Sequence, residues 1–533
     1  MPDSVRGRHA GVLLPLFSAI STRSWGIGEI GDLVPMGRWL NRAGIGFWLM
    51  LPINEMSAGQ HSPYSALTAM AIDPIYLTLP EVDDFRALGG EAALDAADRA
   101  ALDAARRAPR IQYDTVRRLK MHALRAAFDR FEREDLASKT PRAGAFHEYV
   151  AAQAWWLEDY ALFRALHALH DERPWWEWDE GVRTHRCEAI KEARASLGRH
   201  LRFHQYVQWQ ADRQWSAARA AAGVALFGDL PFMVGVDSAD VWARQHAFRF
   251  DATIGVPPDA FSETGQDWGL PVYRWDAIAE DDYEWVRQRA RRSADLFHGY
   301  RIDHLVGLYR TYAIPNDGGA RYFVPSDPTE QLAQGETLVR LFADAGARVI
   351  AEDLGTVPDF VRASLARLRV PGYRVLRWER EWSQPGQPFR DPAAYPAASV
   401  ATTGTHDTET LAEWWRLASD EDRRALARLP GLAGRALSVE AGSFSVAERD
   451  ALVELVYRSG SDYALFPLQD LFGWRDRINT PATVNDGNWS WRLLAPCDTW
   501  LDRDDTRERA DELRALAQKT SRLRLRINGG NGS

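Results

Sequence analysis

The chain has 533 residues, 46% of them hydrophobic and 26% charged, with a formal net charge of −9 at pH 7. This is the composition of a globular protein long enough to bury a core without disulfide or metal staples. Acids and bases are mixed along the chain, so it has neither the basic patch of a nucleic-acid binder nor a polybasic membrane-surface helix.

Arg6 and Arg8 precede an apolar run at 10–17, in the manner of a signal peptide, but Pro15 interrupts the run and no clean small-residue cleavage site follows. No stretch reaches the roughly 18 apolar residues of a membrane span, and the reading is a cytoplasmic protein. Strand-like apolar runs follow at 47–56, 75–79, 224–234, 299–308, 348–355, 373–378, 399–407 and 464–472. Several are separated by segments of helical period, which points to parallel β/α units.

Between these runs, 94–222 is rich in Ala, Arg, Leu and Glu at helical spacing and reads as a mostly helical insertion. Residues 235–297, rich in Gly, Pro and aromatics around 238–276, read as a loop-rich insertion beside the site, and 411–455 is again helical. The expected architecture is a single α/β domain over 1–527, a (β/α)₈ barrel with these insertions and no separate C-terminal β-domain. The tail 528–533, Asn-Gly-Gly-Asn-Gly-Ser, reads as disordered. Cys187 and Cys497 have no metal or redox spacing and read as two buried, reduced thiols. His185 beside Cys187 reads as surface rather than as part of a zinc site. The 22 tryptophans include the neighbours Trp155-Trp156, Trp175-Trp176, Trp414-Trp415 and Trp489 with Trp491. Such rings stack on sugars, although a single Trp more often fills a core.

The informative chemistry lies at the ends of three runs. Arg301-Ile302-Asp303-His304, Glu352-Asp353 and His406-Asp407 each put carboxylates where a barrel strand opens onto its C-terminal face. Retaining glycoside chemistry uses one carboxylate as nucleophile and one protonated acid about 5 Å away. A lone strand-end acid more often caps a helix or pairs with an arginine; three together, with an arginine and two histidines, favour catalysis.

These motifs resemble those of the amylomaltases, the disproportionating 4-α-glucanotransferases of glycoside hydrolase family 77 in the α-amylase clan. The likeness runs from Gly11-Val12-Leu13-Leu14-Pro15 to about Leu493 and includes Ser62-Pro63-Tyr64, Gly228-Asp229-Leu230-Pro231, the loop 255–269 and Arg477-Ile478-Asn479. It implies transfer of α-1,4-glucan segments from a maltooligosaccharide donor to the 4-hydroxyl of an acceptor by double displacement. Asp303 is then the nucleophile and Glu352 the acid/base, while Asp407 grips the donor ring. The implied substrate-binding residues are Tyr64, Asp229, Asp259, Phe261, Gln266, Trp268, Arg301, His304, His406 and Asn479. No metal or cofactor is implied. The implied partners are maltooligosaccharides, starch- or glycogen-derived glucans and glucose as acceptor, with no nucleic acid and no membrane.

Gly26-Ile27-Gly28-Glu29-Ile30-Gly31 spells GxGxxG, but a dinucleotide site requires a preceding strand and a following helix, and the resemblance assigns this loop otherwise. The chain departs from the family pattern at Thr408-Glu409, Ala260 and Leu305-Val306. An α-amylase-like hydrolase with the same acids is the alternative. A catalytically silent glucan-binding protein is a second, and it would have lost an acid.

Overall fold

A computed structural model describes residues 7–258, 264–440, 442–481 and 483–522. Eight parallel strands close into a barrel: β1 (His9–Leu13), β2 (Phe47–Leu49), β3 (Ala225–Leu230), β6 (Gly299–Ile302), β9 (Arg348–Ala351), β10 (Gly372–Val375), β11 (Ser399–Thr402) and β12 (Tyr463–Pro467). Around the barrel the order is β1-β12-β11-β10-β9-β6-β3-β2. Nearly every strand residue is buried, as expected of parallel strands covered on both faces. The lumen is filled by size alternation. Phe47 packs on Phe227 with ring centroids 4.8 Å apart. A Cβ on Gly11 would sit 2.2 Å from the Phe47 ring, and one on Gly299 would sit 2.6 Å from Phe227.

The expected barrel is present, but one of its strands is not where the apolar runs place it. Residues 75–79 form no strand. Pro74–Tyr76 is a 3₁₀ turn capped by the Asp73 side chain, and side chains take the backbone groups a neighbouring strand would use. Gln208 bonds both the N–H and the C=O of Ile72, Gln214 does the same for Thr78, and the buried Lys120 donates to the carbonyls of Ile75 and Leu77. Lys120 also pairs with buried Glu29 at 2.7 Å. The eighth strand is instead β1, inside the run that resembles a leader segment, which pairs in register with β12 and β2.

Long helices occupy much of 94–222, among them Tyr113–Phe131, Ala154–Leu169 and Gly198–Ala221. Where 235–297 reads as loops, the chain builds regular structure. β4 (Phe248–Val256) and β5 (Gln266–Tyr273) join β7 (Thr311–Pro315) and β8 (Tyr322–Val324) in an antiparallel sheet of order β5-β4-β7-β8. The helices Trp275–Glu280 and Glu284–Leu296 follow. Exposed polar positions in β4 and β5 mask the alternation that would mark a two-sided strand. Cys497 is buried, but Cys187 is exposed at the start of a helix, which corrects the expectation of two buried thiols. The 528–533 tail lies outside the described residues. No helix among the described residues is long and apolar enough to cross a membrane.

Candidate active site

The three acids stand just beyond the C-terminal ends of β6, β9 and β11, on one face of the barrel. Arg301, the penultimate residue of β6, organises the floor. It is buried, its Nε and Nη2 clamp Asp229 of β3 at 3.0 and 2.8 Å, and Nη2 reaches Asp303 at 2.7 Å and the Tyr64 hydroxyl at 3.2 Å. The Tyr64 hydroxyl donates to Asp229 at 2.7 Å and lies 3.1 Å from His406 Nε2. Burial raises the Asp303 carboxyl above its ordinary value, and the adjoining Arg301 guanidinium opposes this.

Glu352 follows β9 directly. Its Oε2 accepts from the peptide N–H of His304 at 2.9 Å and its Oε1 from that of Leu354 at 2.8 Å. His304 adopts φ +44°, a left-handed conformation that costs a residue with a Cβ about 1 kcal/mol or more, and in it the N–H faces the carboxylate. Two backbone donors favour the ionised form, yet burial and then the charge of Asp303 outweigh them and push Glu352 up to about 7. Below about pH 7 the site therefore holds one carboxyl with its proton and another against an arginine.

Asp407 is held from two sides. Asn479 Nδ2 donates to its Oδ1 at 2.6 Å, and His406 Nε2 lies 3.2 Å from its Oδ2. Burial opposes ionisation, but His406 and Asn479 prevail and keep this carboxyl well below the usual range. His406 in turn is raised, because Asp407 outweighs the effect of burial. His304, buried without a countercharge, falls to about 4 and is neutral. The third acid's departures from the family pattern have local roles. Thr408 Oγ1 accepts from the Thr405 N–H at 3.0 Å, and Glu409 pairs at 3.1 Å with Arg477, which holds the Asp407 carbonyl at 2.9 Å.

The structure thus brings together Asp303, Glu352, Asp407, Tyr64, Asp229, Arg301, His304, His406 and Asn479. Trp268 and Gln266 lie on β5 and line a cleft that opens beside Glu352 and His304. The Trp268 ring meets His304 edge-on at 4.8 Å, and its indole N–H donates to Gln266 at 3.2 Å. Asp259 and Phe261 lie outside the described residues, as does Ala260. Sequence reasoning missed Trp489, whose ring lies 5.8 Å from Tyr64 and 5.9 Å from His406. Its clustering with Trp491 was the available signal, but Trp491 is core. It also missed Arg310, Tyr312 and Phe323, which line the same cleft from the second sheet. Among the described residues no three His, Cys, Asp or Glu side chains are grouped to hold a metal ion.

A family model described as 4-alpha-glucanotransferase matches residues 14–497. The 4-alpha-glucanotransferase of Thermus thermophilus is 33% identical over 522 residues, covering 94% of this chain and 96% of its own. That of Chlamydia pneumoniae is 30% identical over 496 residues, covering 91% of each chain. In structure, the amylomaltase from Streptococcus agalactiae in complex with acarbose matches with a TM-score of 0.80 at 24% identity, covering 97% of this chain and 100% of the other, which shows a shared fold.

Proposed function

The chain belongs to the 4-alpha-glucanotransferase family, and from that premise we propose how Asp303, Glu352 and Asp407 divide the work of moving α-1,4-glucan segments between chains. The enzyme is a retaining transferase, and the family favours transfer over the hydrolase alternative. The observation that carries the division of roles is the contrast between the two nearest acids. Glu352 keeps its proton up to about 7, and Asp303 lies 2.7 Å from an arginine.

In the first step a carboxylate oxygen of Asp303 attacks the anomeric carbon of the donor. The glycosidic bond breaks, and Glu352 gives its proton to the departing oxygen. The released sugar leaves a glycosyl ester on Asp303 and an ionised Glu352. In the second step Glu352 takes the proton of an acceptor 4-hydroxyl as that oxygen attacks the anomeric carbon, and Asp303 departs as carboxylate. Asp407, fixed by Asn479 and His406, accepts hydrogen bonds from donor-ring hydroxyls where positive charge develops on the sugar. Tyr64 stacks on the donor ring, and Asp229 holds Tyr64 and Arg301 in place. Neutral His304 and its neighbour Trp268 face the acceptor in the cleft beside Glu352.

The substrates are maltooligosaccharides and starch- or glycogen-derived glucans, glucose serves as an acceptor, and the enzyme works in the cytoplasm without nucleic acid or membrane. Incubation with maltotriose tests the reading: glucose plus a ladder of longer chains is expected, and Asp303→Ala should produce neither. A rise in reducing ends with no product longer than the substrate would overturn it.

A further inference from the structure

In the cleft beside Glu352 stands a cation that has no counterion among the described residues. Arg310 follows the short helix Val306–Tyr309 and lines the cleft half-buried. Burial pulls its guanidinium below the ordinary arginine value. Among the described residues its side chain forms no ion pair and donates no hydrogen bond, and it lies over an aromatic ring. The Cζ lies 4.1 Å from the centroid of the Phe323 ring, and Phe323 packs against Tyr312 at 5.1 Å with the rings inclined by 52°. A guanidinium over a ring is attracted by the ring face without using its N–H donors, which here have no hydrogen-bond partner among the described residues. An arginine with a purely structural role would spend those donors on carbonyls or carboxylates, as Arg492 and Arg522 do.

The sheet order separates Phe323, and Arg310 over it, from Trp268. Trp268 is on β5, Tyr312 on β7 and Phe323 on the edge strand β8. Three strand spacings, about 14 Å, separate β5 from β8. That is farther than one sugar ring spans, so a ring beside Glu352 and Trp268 leaves Phe323 and Arg310 for the rings that follow it.

We propose that Arg310, over the Phe323 ring and near Tyr312, sets acceptor length in this enzyme by gripping hydroxyls of the second or third acceptor ring. The inference rests on the reading of this cleft as the acceptor side. Pyranose rings present apolar faces to Tyr312 and Phe323 and hydroxyl oxygens to the free guanidinium donors. A single glucose binds without these contacts.

The test measures transfer from one donor to glucose, maltose and maltotriose, comparing kcat/KM for the acceptors within each variant. The ratio is internal, so partial loss of folded enzyme cancels. Arg310→Ala should lower use of maltotriose by about tenfold or more while glucose stays within about twofold, the scale of a lost hydrogen bond to a charged group. Phe323→Leu should shift the ratio in the same direction, and Arg310→Lys should restore part of it. Equal losses with glucose and maltotriose, or no loss with either, would overturn the proposal. Trp268→Ala in the same assay separates the two levels of the argument. If it weakens every acceptor while Arg310→Ala changes none, the cleft remains the acceptor side and the role of Arg310 falls. If neither substitution changes acceptor use, both fall.

Discussion

Glu352 accepts two peptide N–H donors and still keeps its proton up to about 7. An acid that must be protonated to start the reaction gives kcat/KM an alkaline limb, so donor cleavage should decline as pH rises through about 7. Glu352→Gln should abolish that limb, retain turnover on donors with good leaving groups, and recover its second step when azide is added. An unchanged limb in the variant would assign the titration elsewhere. Asn479→Ala removes one of two hydrogen bonds to an ionised acid and should lower kcat by about ten- to a hundredfold with the fold intact. Measured kcat and thermal midpoint together check this. At this scale the three acids were legible, because each follows an apolar run whose end must open on one face of a barrel. Arg477 and Trp489 were less so. Their importance lies in contacts across 70 and 83 residues, Arg477 to the Asp407 carbonyl and Trp489 to His406, which no local pattern announces.

At the scale of elements, burial of side chains against the backbone decided what periodicity could not. Residues 75–79 have the apolar content of a strand, but Gln208, Gln214 and Lys120 supply its hydrogen bonds from helices far along the chain. Lys120→Ala would leave Glu29 buried without its cation, a loss of about 3–5 kcal/mol in such pairs. The thermal midpoint should fall markedly while transfer per folded enzyme holds; a fall in specific activity at full folding would assign Lys120 a role in the site. On β5, the proposed acceptor role of Trp268 implies that removing its ring takes away a platform that water would not need. Trp268→Ala should weaken acceptor binding by about 1–3 kcal/mol and raise the ratio of hydrolysis to transfer with donor cleavage spared. Glucose and longer oligosaccharides measured side by side give the ratio, and an unchanged ratio would mean that the ring only supports the hairpin. The β4–β5 hairpin itself was hidden in the sequence, since its outer positions are polar and its core-facing positions few.

Across the whole molecule, the barrel follows from parallel apolar runs and the site from what stands at their ends. One run was misassigned, and β1 took its place without changing the strand number, because closure depends on eight parallel pairings rather than on which apolar segment supplies them. The second sheet gives this barrel a cleft beside Glu352 lined by aromatic and cationic side chains, and that lining was not legible from spacing. The central claim is that the glucan passes through an ester on Asp303. It is tested most directly by supplying Glu352→Gln with a maltosyl fluoride donor and no acceptor, then locating the adduct by mass spectrometry of peptides. The account predicts a glycosyl mass on the peptide carrying Asp303, lost when an acceptor sugar and azide are added. An adduct on Asp407 or another residue, or turnover with no covalent adduct at all, would contradict it.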